Sequence, residues 1–159
     1  MTRNSWPRSL RSQLWPVPDY KFCVSLNISH PKMKVETISE ELSLRPKTSH
    51  DVGDLRVTKH GRVLGGSYED MYWSFDLCEG KRLDAEDVLF EDFVTQKNTE
   101  LEKHKAFFNE LRSTGGTIDY FVGWFSVDSI NMNIYLDPPL LRSTADLDIS
   151  IVLCAYPED

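Results

Sequence analysis

The chain has 159 residues, 40% hydrophobic and 27% charged, which is the ordinary range for one globular domain with a real core. No window approaches about 18 uncharged apolar residues, so a membrane-spanning helix is not expected. The net charge is −7, from 25 acidic and 18 basic residues, and a body this acidic repels phosphate backbones. That argues against nucleic-acid binding and points to a basic protein as the partner such a surface suits.

Residues 1–19 form an N-terminal arm with Pro7, Pro16 and Pro18, which exclude a regular helix or a central strand. Its Arg3, Arg8 and Arg11 have no acid among them through residue 18, so the remaining chain carries −10. Trp6, Leu10, Leu14 and Trp15 make it too apolar for a purely solvated tail. Residues 20–159 read as a single domain. In Tyr20–Ile28 the alternation of Phe22, Val24, Leu26 and Ile28 with polar residues predicts a half-buried strand. Lys34–Leu44 carries Val35, Ile38, Leu42 and Leu44 near helical spacing, closed by Pro46.

The stretch 47–66 is polar and rich in glycine. Leu55–Thr58 and Arg62–Leu64 are expected as short strands around a His60-Gly61 turn. Met71–Leu77 is a strand with Trp73 as its anchor. Asp84 is expected to cap a long helix that runs to Arg112, interrupted near Thr95–Thr99 and closed by Gly115-Gly116.

Thr117–Val127 is apolar on both parities, which describes a central strand covered on both faces, or one covered by a helix and by a partner. Asp128-Ser129 then turns the chain into a strand through Met132, Ile134 and Leu136. Pro138 opens a last helix that buries Leu140, Leu141 and Ala145. Asp148–Cys154 closes the chain as a strand with Ile149, Ile151 and Leu153 inward. The class is therefore α+β, a mixed or largely antiparallel sheet with helices mainly on one face. The strand–helix–strand units at both ends suggest two ferredoxin-like halves.

Several of these segments carry a likeness. The strand FCVSLNI at 22–28, LSLRP at 42–46, GD at 53–54, WSFDL at 73–77 and LDPPLLRSTADLDISIVL at 136–153 together resemble the domain of unknown function 4279 family, found mostly in bacterial proteins. The likeness covers roughly residues 20–155 and leaves out the arm. It implies an α+β fold and brings no catalytic motif. Some members look like immunity or accessory proteins of toxin systems, so an immunity-type role is what the resemblance implies.

No catalytic, cofactor or metal signature stands out. His30, His50, His60 and His104 form no HxH or HExxH pattern, and no cysteine lies at ligand spacing from them. Cys23, Cys78 and Cys154 are odd in number and far apart, which fits reduced thiols in the cytoplasm, with Cys23 and Cys154 buried in strands. The glycine pairs at 65–66 and 115–116 lack a phosphate-loop context and read as turns. Asp84–Asp92 lacks calcium-loop spacing. Trp73, Trp124, Tyr72, Tyr120 and Tyr135 are expected to pack sheet against helix. Asn131, Asn133 and Tyr135 share a strand face that is either solvated or a contact surface.

The expected function is a non-enzymatic protein-interaction module binding a basic partner. One alternative is a small-molecule or peptide binder with a pocket between the open sheet face and the loops at 47–68. The other is an enzyme whose site gathers His50, Asp51, Asp54 and His60. A homodimer is expected to form through an edge strand, either Leu55–Thr58 or Tyr20–Ile28.

Overall fold

A computed structural model describes residues 20–126 and 134–156. The arm at 1–19, the Asp128-Ser129 turn, Met132, Asn131 and Asn133 lie outside the described residues. In chain order the elements are β1 (Tyr20–His30), α1 (Val35–Leu42), β2 (Thr48–His50), β3 (Leu55–Val57), β4 (Val63–Ser67), β5 (Met71–Asp76) and β6 (Leu83–Asp84). They continue with α2 (Phe90–Leu101), a 3₁₀ turn at Glu102–His104, α3 (Lys105–Ser113), β7 (Thr117–Ser126), α4 (Pro138–Asp146) and β8 (Ser150–Tyr156).

The main sheet runs β2-β5-β1-β7-β8, with β6 pairing onto the start of β1. Strand β1 is its centre, antiparallel to β5 on one side and to β7 on the other. With both flanks paired, Tyr20–Ile28 is not an edge and cannot carry the expected dimer contact. Strands β1, β2, β5 and β7, with the helices between them, make one split β-α-β unit of ferredoxin-like order. A single such unit accounts for the chain through β7, and α4–β8 is an addition that pairs in parallel with β7.

The alternation read in β1 is present along its length, with Tyr20, Phe22, Val24, Leu26, Ile28 and His30 buried. All four helices pack on that face. Phe90 and Phe93 of α2 meet the Phe22 ring edge-on, and Trp124 stacks on Tyr20 at 3.9 Å between centroids. Ile38 and Leu42 come from α1, Phe108 and Leu111 from α3, and Leu140 from α4. Burial of that much aromatic and aliphatic surface is the main stabilisation of the fold, at about 1.5–3 kcal/mol for each large side chain fully removed from water.

Several boundaries differ from expectation, each for a local reason. Asp84 does not cap a helix; its Oδ1 accepts from Glu86 N at 3.0 Å, so it makes a turn, and α2 begins six residues later. There the Phe90 N–H donates to Tyr20 Oη at 3.3 Å, so β1 helps satisfy the helix start. The helix holds through Thr95 and Thr99, whose hydroxyls donate to carbonyls one turn back, and it breaks instead at 102–104. In α4 the buried positions are Leu140 and Thr144, while Leu141 and Ala145 are exposed. In β8 Leu153 is 49% exposed, because this edge strand meets the core only through Ile151 and the preceding Ile149. Residues 134–137 are not in a strand.

Candidate functional site

Three of the four residues placed in the loop cluster do come together, and each has a structural task. Asp51 Oδ1 accepts from Val35 N at 2.9 Å, which supplies the cap that α1 lacks from its own Lys34. Asp54 Oδ2 accepts from Asp51 N at 2.8 Å, and Gly53 and Asp54 exchange backbone bonds with Tyr68. The His50 ring stacks on Tyr68 with centroids 3.4 Å apart. Burial lowers the His50 pKa, and the nearby Asp54 and Asp51 carboxylates oppose that. His60 sits apart, at the tip of the β3–β4 hairpin, ~13 Å along the strands from Asp54 at the usual rise. Among the described residues no three His, Cys, Asp or Glu side chains are arranged to hold a metal ion.

What these residues build is the base of a ribbon. β3 and β4 form a separate two-stranded sheet with Val57 opposite Val63. Gly61, at φ +79°, supplies the left-handed residue of the turn, where Gly61 N donates to Thr58 O at 2.9 Å. Every residue of both strands is exposed. Leu55, Val57, Val63 and Leu64 are 63%, 49%, 57% and 54% exposed, a concentration of apolar surface seldom left in water on a single chain. The hairpin was legible in the sequence. Its exposure and local charge were missed, although a charge count over residues 55–64 would have found three bases and no acid.

A second feature lies between α1 and α3. Met33, Thr37, Glu40, Glu41, Phe107 and Glu110 line an open groove of about 470 Å³. Met33 and Phe107 are half-buried against the core and give it an apolar lining, with the three carboxylates around it. Glu41 Oε1 faces His104 Nδ1 at 3.4 Å. This groove is outside the 47–68 loops, where a pocket was expected.

The sheet face turned away from the helices is polar at one end and apolar at the other. Ser74 Oγ donates to Asn27 Oδ1 at 2.7 Å, and Asn27 Nδ2 donates to Asp119 Oδ1 at 3.3 Å. Burial raises the Asp119 pKa, and the Asn27 bond opposes it. At the other end Cys23 and Cys154 flank Gly123 on neighbouring strands. They are half-buried rather than buried, and the buried thiol is Cys78, whose pKa burial pushes up to about 11. Two strand spacings put the Cys23 and Cys154 Cα atoms ~9.6 Å apart, beyond the span of a disulfide.

Trp73, Tyr120 and Trp124 are core residues, as the sequence predicts, while Tyr72 is half-buried beside His50 and Tyr135 is 52% exposed. No curated protein and no solved structure matches the chain. Residues 19–158, nearly the whole chain, match the family described as domain of unknown function (DUF4279). The chain belongs to that family.

Proposed function

We propose that the chain is a protein-interaction module whose contact element is the β3–β4 ribbon. The observation that carries this reading is the exposure of Leu55, Val57, Val63 and Leu64 together on a ribbon whose strand residues are all exposed. Apolar side chains gathered on one projecting element supply affinity once a partner removes them from water. The acidic remainder of the surface selects among partners and speeds encounter with basic ones. A basic toxin held by an immunity-type protein is one partner of that charge. The groove lined by Glu40, Glu41 and Glu110 supports the same charge preference for a peptide segment of the partner.

The test is a comparison of two baits. The wild-type chain and a variant carrying Leu55→Ser, Val57→Ser, Val63→Ser and Leu64→Ser are immobilised and exposed to host extract, and the retained proteins are quantified by mass spectrometry. A basic protein held by the first and lost from the second is the expected result. An identical retained set on both baits removes the ribbon from the contact.

A further inference from the structure

The ribbon and the groove are chemical complements on one chain. Residues 55–64 contain Arg56, Lys59 and Arg62 and no acid, so the ribbon is +3 while the rest of the chain is −10. None of these three cations makes an ion pair among the described residues. Beside them stand the four exposed aliphatic side chains. The groove between α1 and α3 has the opposite charge and the same mixed character: Met33 and Phe107 as apolar lining, and Glu40, Glu41 and Glu110 as carboxylates. The Glu40 and Glu110 carboxylates are likewise outside every ion pair among the described residues.

A two-stranded ribbon is marginal in water without packing against something else, so an occupant that covers it also stabilises it. We propose that this occupant is a second copy of the chain, with the ribbon of each copy seated in the α1–α3 groove of the other. Val57 and Val63, paired across the ribbon, meet Met33 and Phe107, while Arg56, Lys59 and Arg62 meet Glu40, Glu41 and Glu110. Reciprocal insertion closes a two-fold dimer, covers both ribbons and leaves no open end for filament growth. The inference rests on the reading of the ribbon as a contact element and names what it contacts. The homodimer is then a reciprocal ribbon-in-groove contact in place of edge pairing through Leu55–Thr58.

Charge exchange tests it on the full chain by sedimentation velocity. One variant reverses the ribbon (Arg56→Glu with Arg62→Glu); the other reverses the groove (Glu40→Lys with Glu110→Lys). All four positions are exposed, so the fold is not at stake. The wild type is expected to dimerise, less tightly as salt rises. Each variant alone is expected to dimerise at least about tenfold more weakly, because like charges now face each other. An equimolar mixture is expected to recover the association, since each ribbon meets a groove of opposite sign in the heterodimer. A wild type that stays monomeric at about 1 mM overturns the proposal, as does a dimer indifferent to both reversals. A monomeric wild type whose ribbon still retains a host protein separates this failure from failure of the interaction-module reading.

Discussion

The three-way polar contact at Asn98 invites the most discriminating test of how the helical layer is held. Asn98 is 3% exposed, inside a layer filled mainly by aromatic and aliphatic groups. Its Nδ2 donates to Ser143 Oγ at 2.9 Å and to Thr144 Oγ1 at 2.8 Å, and its Oδ1 accepts from Tyr120 Oη at 3.0 Å. One amide thus joins α2, α4 and β7. Both hydroxyls already donate to Leu140 O at 2.9 Å, so they need a donor facing them, and an amide provides one where a carboxylate does not. In Asn98→Ala the fully buried Tyr120 hydroxyl loses its acceptor. Leaving such a group unpaired costs about 1–3 kcal/mol, and each of the two lost donor bonds adds about 1 kcal/mol. The total is ~3–5 kcal/mol, a large share of a typical stability of about 5–15 kcal/mol. The expected fall in Tm is on the order of 10 °C for a chain this long.

Asn98→Asp keeps the shape and sharpens the test. At neutral pH it puts a carboxylate among buried hydroxyls, so it should cost at least as much as the alanine. Burial raises a carboxyl pKa in the folded state, so the folded chain binds the proton more tightly than the unfolded chain does. The deficit relative to wild type should therefore shrink as pH falls. Denaturant unfolding of wild type and both variants across pH measures this. An alanine variant within about 0.5 kcal/mol of wild type, in the range of neutral surface changes, would refute the assignment of α4 docking to these hydrogen bonds.

The remaining predictions concern the sheet ends and the thiols. A Cβ at Gly116 would collide with Leu111 Cδ2 and lie 2.8 Å from both Leu111 O and His30 Cδ2, so Gly116→Ala should cost ~1–3 kcal/mol by overpacking, read by urea unfolding. His30 is neutral in the fold: its Nδ1 accepts from Lys32 N and Met33 N at 3.0 and 2.8 Å, and its Nε2 lies 2.9 Å from Thr114 Oγ1, whose own hydroxyl donates to Glu110 O. Burial and Lys32 lower its pKa, so this contribution is full above the unfolded value of about 6.5 and is lost as pH falls below it toward the folded value. His30→Gln should flatten that acid limb of the stability profile. With its thiol at about 11, Cys78 should resist a thiol reagent at mildly alkaline pH in the native chain, while half-buried Cys23 and Cys154 react first by peptide mapping.

Legibility followed the range of the interaction that decides each feature. The period of β1 and the Pro138 start of α4 are local signals, and Asp137 Oδ1 caps Leu140 N at 3.0 Å as such a signal requires. The start of α1 is not local, because its cap is Asp51, sixteen residues away. The same contact explains why His50, Asp51 and Asp54 resembled a functional cluster: they are polar, close together and engaged in holding the ribbon base to the helix. The ribbon's character was hidden for a different reason. Charge counted over the whole chain gives an acidic protein, whereas the segment that projects has the opposite sign.

Strand β7 shows how far the sheet itself answers for a second apolar face. Its two apolar faces suggested that something beyond one helical layer must cover the second. Ile118, Tyr120, Val122 and Trp124 fill the core as expected. On the opposite face Phe125 is already 9% exposed through the sheet's own neighbours: Tyr156 of β8 stacks on it at 5.3 Å, and the Arg82 guanidinium lies 3.7 Å over its ring. Gly123 leaves the space into which Cys23 Sγ and the Phe125 ring both lean, 2.8 and 3.4 Å from where a Cβ would sit. Phe121 lies half-buried between Ser25 and Val152. The apolarity of that face is thus consumed largely within the sheet. Among the described residues the ribbon has no such neighbours, and that contrast moves the search for a contact surface from the centre of the sheet to residues 55–64.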